Sequence, residues 1–249
     1  MTRVLVPYHL DEHLSDLDIP VPAEVTVTAD LPAGDGPWPR LAHLYQEVAT
    51  VVADVARRGA GPAVFSGDCT TSLGTVAGLQ RAGLDPAIVW FDAHGDVQTP
   101  ETTSSGYLGG MPLRLLTGYR PELVATRLGL RPVPEDRILL TDARDLDPPE
   151  VTYLESSAIR RRPVTELDIP DGPIYLHVDL DVVDPADLPG LRFPAPGGPR
   201  LAEVTAALHR VVATGRVAAV GLACTWHPGH PAAGPLLRAP VEKLLASWR

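Results

Sequence analysis

The segment Ala87-Ile88-Val89-Trp90-Phe91-Asp92-Ala93-His94-Gly95-Asp96 decides the reading of this chain. Its first five residues are apolar without interruption, the pattern of a strand buried on both faces rather than one alternating between core and water. Its last five place Asp92, His94 and Asp96 two residues apart, so on extended backbone all three side chains share one side. The arrangement recurs at Ile174–Val178, an apolar run followed by Asp179-Leu180-Asp181. In a parallel α/β sheet, function gathers just past the carboxyl ends of the strands, which is where both acidic clusters fall.

Outward from these two runs, five further segments read as strands: Val4–Tyr8, Val25–Thr28, Ala63–Ser66, Ile138–Thr141 and Val217–Ala223. Between them, Leu41–Arg58 carries apolar residues at helical spacing (Leu41, Leu44, Tyr45, Val48, Val51, Val52, Val55). Shorter helical patterns occupy Thr71–Arg81, Met111–Thr117, Glu150–Arg160, Leu201–Thr214 and Leu236–Trp248. Alternation of strand and helix predicts a mostly parallel sheet covered on both faces. The Pro- and Gly-rich stretches Leu31–Pro39 and Phe193–Pro199 read as loops too short to link domains, so residues 1–249 read as one domain. No internal repeat is present.

Composition narrows the partners. The chain has 249 residues, enough for a substantial core, and its 31 acidic against 21 basic side chains give a formal net charge of −10. That balance repels phosphates and argues against nucleic acid, yet it can focus carboxylates on a metal or a basic substrate. No apolar run approaches the roughly 20 residues of a membrane span, and the N-terminus enters a strand-like run without the pattern of a signal peptide. Two cysteines, Cys69 and Cys224, are too few for a disulfide framework. These features predict a cytoplasmic protein.

Four carboxylates and an imidazole converging at one sheet edge would repel strongly without a neutralising cation. Two divalent metals sharing bridging carboxylates solve that problem and activate a water near neutral pH. Oxygen-rich ligands favour Mn, Mg or Fe over structural zinc. A lone Asp after a strand is most often a cap or turn residue, and Asp184, before Pro185, fits that role.

Five segments in this order resemble the arginase/agmatinase (ureohydrolase) family: Ser66-Gly67-Asp68-Cys69, Phe91–Asp96, Thr99-Pro100 through Met111-Pro112, Ala143–Pro148, and Val178–Asp181 through Pro185. The resemblance covers roughly residues 60–230 and implies a three-layer α/β/α sandwich and hydrolysis of guanidino compounds at two Mn²⁺ ions. By the same resemblance Asp92 and Asp179 contact both ions, Asp96 completes one ion's set, and His94 and Asp181 complete the other's. Asp96 is also the implied proton donor to the leaving amine. Thr103, Ser105 and Asp147 match positions that bind the amino-acid end of arginine, which points to an α-amino acid substrate, and the resemblance separately implies a homo-oligomer of the kind common in the family. Thr99, Pro100 and Thr102 read as loop-shaping residues.

Four departures bear on the substrate. Cys69 stands where the family has a metal-ligand His, and reads either as a small buried hydrophobe or as a thiolate ligand that keeps the coordination count. Gly109 replaces the histidine credited with shuttling protons. Tyr107 and Gln98 replace two Asn that hold the substrate's α-carboxylate. Thr225 aligns with the Glu that contacts the guanidinium, and losing a buried carboxylate there costs about 3–5 kcal/mol of cation recognition. His227 and His230 read either as exposed loop residues or as substitute proton donors. The expected activity is hydrolysis of a less basic guanidine, such as the N-hydroxyguanidine of Nω-hydroxy-L-arginine. Two alternatives are a catalytically idle metal-binding protein and hydrolysis of another amide or formimino compound.

Overall fold

The computed structural model describes residues 1–34, 36–227 and 233–248. Among them the elements run β1 (Thr2–Val6), β2 (Tyr8–His9), β3 (Glu12–His13), β4 (Val25–Thr26), α1 (Pro37–Arg57), β5 (Pro62–Ser66), α2 (Ser72–Arg81), β6 (Ala87–Asp92), α3 (Pro112–Leu116) and α4 (Ala125–Leu128). They continue with β7 (Ile138–Asp142), α5 (Pro148–Ser156), β8 (Arg160–Arg162), β9 (Ile174–Asp179), α6 (Leu201–Val212), β10 (Val217–Ala223) and α7 (Ala233–Ser247).

Eight strands form one sheet in the order β4-β1-β5-β10-β9-β6-β7-β8, every neighbouring pair parallel. Alternate residues of the central strands feed two cores, as the two-residue period requires. Ile88 and Trp90 of β6 join Val4, Val64 and Ile138 beneath α1–α4, while Val89 and Phe91 join Phe65, Leu176 and Leu222 beneath α6 and α7. This is the expected three-layer sandwich. In α1 the predicted stripe is buried at Leu41, Leu44, Tyr45, Val48, Val52 and Val55 and half-buried at Val51, and truncating one of its leucines to Ala costs about 2–5 kcal/mol.

Chain order brings the site together. After β5 the chain crosses to β6, runs outward through β7 and β8, then returns so that β9 and β10 fill the gap between β6 and β5. The strands that end in chemistry-bearing residues are therefore adjacent. Ser66, Ala223 and Asp179 pair in one row across β5, β10 and β9, and Phe91 pairs with Val178, which brings Asp92 level with Asp179.

Several boundaries differ from expectation for physical reasons. The run Val4–Tyr8 is two elements, because Pro7 lacks the N–H to continue the ladder and Tyr8–His9 turns into an antiparallel hairpin with Glu12–His13. Val25–Thr28 keeps only Val25–Thr26 as strand, and the expected loop Leu31–Pro39 ends early because α1 starts at Pro37, with proline in its first turn. The helix expected over Glu150–Arg160 starts at Pro148, where the Glu150 carboxylate accepts from the Asp147 N–H at 3.1 Å. It stops at Ser156, so Arg160–Arg162 becomes the charged edge strand β8.

Candidate active site

Each acidic cluster sits on a turn, not on continued strand. β6 ends at Asp92, whose Oδ1 accepts from the His94 N–H at 2.7 Å. β9 ends at Asp179, whose Oδ1 accepts from the Asp181 N–H at 3.0 Å. Both are Asx turns, and Asp96 lies at φ +54°, in the left-handed region. The expectation that extended backbone aligns these side chains is therefore corrected: the chain folds back after each strand, and the turns make the residues converge.

The convergence is close. Ligand-type atoms of Cys69, Asp92 and Asp179 lie within 4.8 Å of one another, and so do those of Asp92, His94 and Asp181. Asp92 belongs to both groups. Cys69 is buried, and its thiol donates to Asp179 Oδ2 at 2.9 Å. His94 Nδ1 lies 3.1 Å from Asp181 Oδ2 and 3.4 Å from Asp92 Oδ1. Asp96 is outside both groups, but it is buried, lines the same cavity of about 130 Å³, and its Oδ2 has no hydrogen-bond partner.

Electrostatics follow from burying so many acids together. Burial, then Asp92 and Asp179, pushes Asp96 well above the usual carboxylate range. Burial, then Asp181 and Asp92, does the same to Asp179, and burial with Asp92 pushes Asp181 up to about 6. Burial also raises the Cys69 thiol, with Asp179 adding to it. Burial disfavours charge on His94, yet its hydrogen bonds to Asp181 and Asp92 outweigh this and push it up to about 12. Burial works against Asp92 as well, but hydrogen bonds from His94 hold it below the ordinary value. Protons are thus held where divalent cations would serve equally well. This donor set, with its unpartnered Asp96 oxygen, fits a pair of divalent ions.

The rest of the cavity wall comes from neighbouring loops. Thr103 and Ser105 have hydroxyls 3.4 Å apart, and Asp147 accepts from Gln98 Nε2 at 2.8 Å. Thr225, after β10, is buried and donates to Asp179 Oδ1 at 3.0 Å. Behind the turns, Arg144 donates to the carbonyls of Asp181 and Val182, each at 3.0 Å, and so braces the β9 turn.

The same stretch of chain that builds this cavity matches the Arginase family model, over residues 6–224. The chain belongs to the arginase family. It is 31% identical to arginase from Bacillus caldovelox over 64% of this chain and 58% of that protein. It is 33% identical to N(omega)-hydroxy-L-arginine amidinohydrolase from Streptomyces lavendulae over 58% of this chain and 54% of that protein. These matches span little more than half the length of either relative. A crystal structure of arginase from Bacillus subtilis superposes with a TM-score of 0.83 at 24% identity, covering 100% of this chain and 97% of that one.

Within this arginase-family chain the cavity is lined by nearly all the residues expected at the site: Cys69, His94, Asp96, Asp179, Asp181, Thr103, Ser105, Tyr107, Asp147, Gly109 and Thr225, with Asp92 buried beneath them. Thr99 and Thr102 form a local hydroxyl network with Gln98, as loop-shaping residues do. Asp184 accepts from Ala186, Gly197 and Gly198, a turn residue as expected. His227 is exposed and is not among the lining residues, and His230 lies outside the described residues.

Four residues around the site escaped the sequence reading. His9 and Phe193 pack against Tyr107, and Glu150 lines the cavity while accepting from the Val97 N–H at 3.2 Å. His177 stacks on Trp90 at 3.6 Å beneath Asp92, whose Oδ2 accepts from Trp90 Nε1 at 3.0 Å. His9 carried a usable signal, since it follows the first apolar run just as the other site residues follow theirs.

Proposed function

We propose that this chain is a metal-dependent hydrolase that cleaves a C–N bond of a guanidino compound, and that its substrate is a weakly basic one, an N-hydroxyguanidine such as Nω-hydroxy-L-arginine. Family membership supports the reaction class. One observation carries the substrate: the Thr225 hydroxyl is committed to Asp179 Oδ1 at 3.0 Å, so a neutral oxygen stands where the family places a carboxylate for the guanidinium. A permanently charged guanidinium loses its countercharge there, whereas a less basic group needs only hydrogen-bond acceptors.

In this reading Cys69, Asp92, Asp96 and Asp179 would hold one Mn²⁺, and Asp92, His94, Asp179 and Asp181 would hold the other. Bound there, the two ions neutralise the acids and activate water for attack on the guanidino carbon. The protein's own part is positioning and proton transfer. Trp90 fixes Asp92, Thr225 fixes Asp179, and the paired turns hold both carboxylates level. Asp96 Oδ2 has no competing partner, so it is placed to take up a proton from the attacking water and pass it to the departing nitrogen. Thr103, Ser105 and Asp147, at the cavity mouth, receive the amino-acid end. One domain, a homo-oligomeric assembly and a cytoplasmic location complete the proposal, and no helix among the described residues is long and apolar enough to cross a membrane.

A panel of Nω-hydroxy-L-arginine, L-arginine and agmatine assayed with Mn²⁺-loaded protein tests it. Water added across the C–N bond of hydroxyarginine yields L-ornithine and hydroxyurea. That product pair, with little urea from arginine or agmatine, is the expected result. Turnover of arginine at an equal or higher kcat/KM overturns the substrate assignment.

A further inference from the structure

Gly109 leaves the position credited with proton shuttling without a side chain, and the structure fills the space from elsewhere. A Cβ built on Gly109 would run into the ring carbons and hydroxyl of Tyr107. Tyr107 and Gly109 both line the cavity. The tyrosine therefore occupies the volume into which residue 109 would otherwise project.

Tyr107 is held there by the N-terminal hairpin. Its hydroxyl lies 3.3 Å from His9 Nε2, and the two rings stack at 5.8 Å with 17° between planes. Phe193 packs on the same tyrosine at 4.8 Å. His9 is buried, and its Nδ1 lies 2.8 Å from the Gly67 carbonyl oxygen. A carbonyl only accepts, so Nδ1 carries the hydrogen, and in that tautomer Nε2 is an acceptor. Tyr107 must then donate its single O–H to His9, and its oxygen turns lone pairs toward any ligand.

The hairpin is itself fixed to the loop that carries Cys69. Gly67 N–H donates to the Tyr8 carbonyl at 2.9 Å, and Leu10 N–H donates to Asp68 Oδ2 at 2.6 Å. Only glycine fits at residue 67, where a Cβ would meet the Tyr8 carbonyl. His9 is thus held in register with the ligand cluster.

We propose that Tyr107, oriented by His9, is a specificity-determining residue of this site: its hydroxyl oxygen accepts an N–H or O–H from the polar end of the substrate at the place vacated by Gly109, and His9 is the positioning residue behind it. The proposal rests on the guanidino reading of the site. Tyr107 and Thr225 together supply two neutral acceptors in place of charged or titrating groups. A substrate whose reactive end bears several N–H or O–H donors and little fixed charge matches this chemistry.

The test compares wild type, Tyr107→Phe, His9→Ala and the double variant, all Mn²⁺-loaded, on Nω-hydroxy-L-arginine. Loss of one substrate hydrogen bond lowers kcat/KM about tenfold in Tyr107→Phe. His9→Ala alone lowers it similarly, but in the Tyr107→Phe background it changes the value by less than about twofold, because a residue acting only through Tyr107 has nothing left to position. Multiplying effects, or a Tyr107→Phe enzyme within twofold of wild type, overturn the proposal. Long-range ¹H–¹⁵N spectra of the imidazoles give an answer without turnover: His9 shows the Nδ1–H tautomer and its Nε2 resonance moves in Tyr107→Phe. If wild type hydrolyses no guanidino compound while that resonance moves, the substrate reading fails and the pair stands. A resonance that does not move overturns the pair.

Discussion

The thiol of Cys69 donates to Asp179 Oδ2 at 2.9 Å, deep at the carboxyl end of the sheet and beside Asp92. On the proposed reading Cys69 would coordinate a metal as thiolate, since a bound cation draws the proton off sulfur. Cys69→Ala is therefore expected to lose about one of two bound equivalents, because the Asp92–His94–Asp181 group remains intact. Metal content by mass spectrometry after exhaustive dialysis checks this, and an unchanged content returns Cys69 to ordinary packing. Cys69→His should keep both equivalents.

Metal uptake should be strongly pH-dependent. Asp181 titrates at about 6, Asp96, Asp179 and Cys69 are all raised, and His94 holds its proton up to about 12. Each must lose its proton to ligate, so protons compete with the ions and affinity rises with pH by about tenfold per unit for each proton displaced. Calorimetry in buffers of different ionisation enthalpy counts the protons released. A pH-independent affinity between 6 and 8 would contradict the ligand assignment.

Thr225 serves both ligand support and substrate recognition. Thr225→Val removes the hydrogen bond to Asp179 Oδ1, costing roughly 1.5–3 kcal/mol as a bond to a charged group. It should weaken metal binding about tenfold or more and, with the neutral acceptor gone, lower hydroxyarginine turnover as well. Thr225→Glu instead restores a carboxylate and should shift the ratio of hydroxyarginine to arginine turnover toward arginine by at least tenfold. The ratio of kcat/KM values for the two substrates is the measurement.

Much of this site was legible because its signals are local. An apolar run ending in Asp92 or Asp179 marks both a central parallel strand and its carboxyl end, and burial on both faces leaves little ambiguity. The turns were not legible: spacing by two suggested extended backbone, whereas Asp92 and Asp179 each cap a turn, and Asp96 needs φ +54°. Short edge elements were also missed, since Arg160–Arg162 has neither alternation nor an apolar run to announce β8. The position of His9 after the first apolar run could have marked it as a site candidate, but its pairing with Tyr107 was hidden. Its role arises from contacts 58 residues away to Gly67 and 98 residues away to Tyr107, and no local pattern encodes such pairings.

His177 gives a stability test apart from metal and substrate. Its ring is buried, stacks on Trp90 at 3.6 Å, and shares a 3.0 Å hydrogen bond with Tyr175 through Nδ1, while Nε2 has no partner. Burial pulls its pKa down to about 3. The unfolded chain, with an ordinary histidine near 6.5, therefore binds a proton that the folded chain refuses. The stabilisation is fully present above about pH 6.5 and is lost progressively as pH falls toward about 3, amounting to several kcal/mol at the low end. The raised carboxylates of the site act in the opposite sense, so the comparison is made by difference. In urea titrations of metal-free protein from pH 7 to pH 4, His177→Leu should lose less stability on acidification than wild type, even though it starts lower through lost packing. Parallel slopes for the two proteins would mean that His177 already accepts a proton in the folded state.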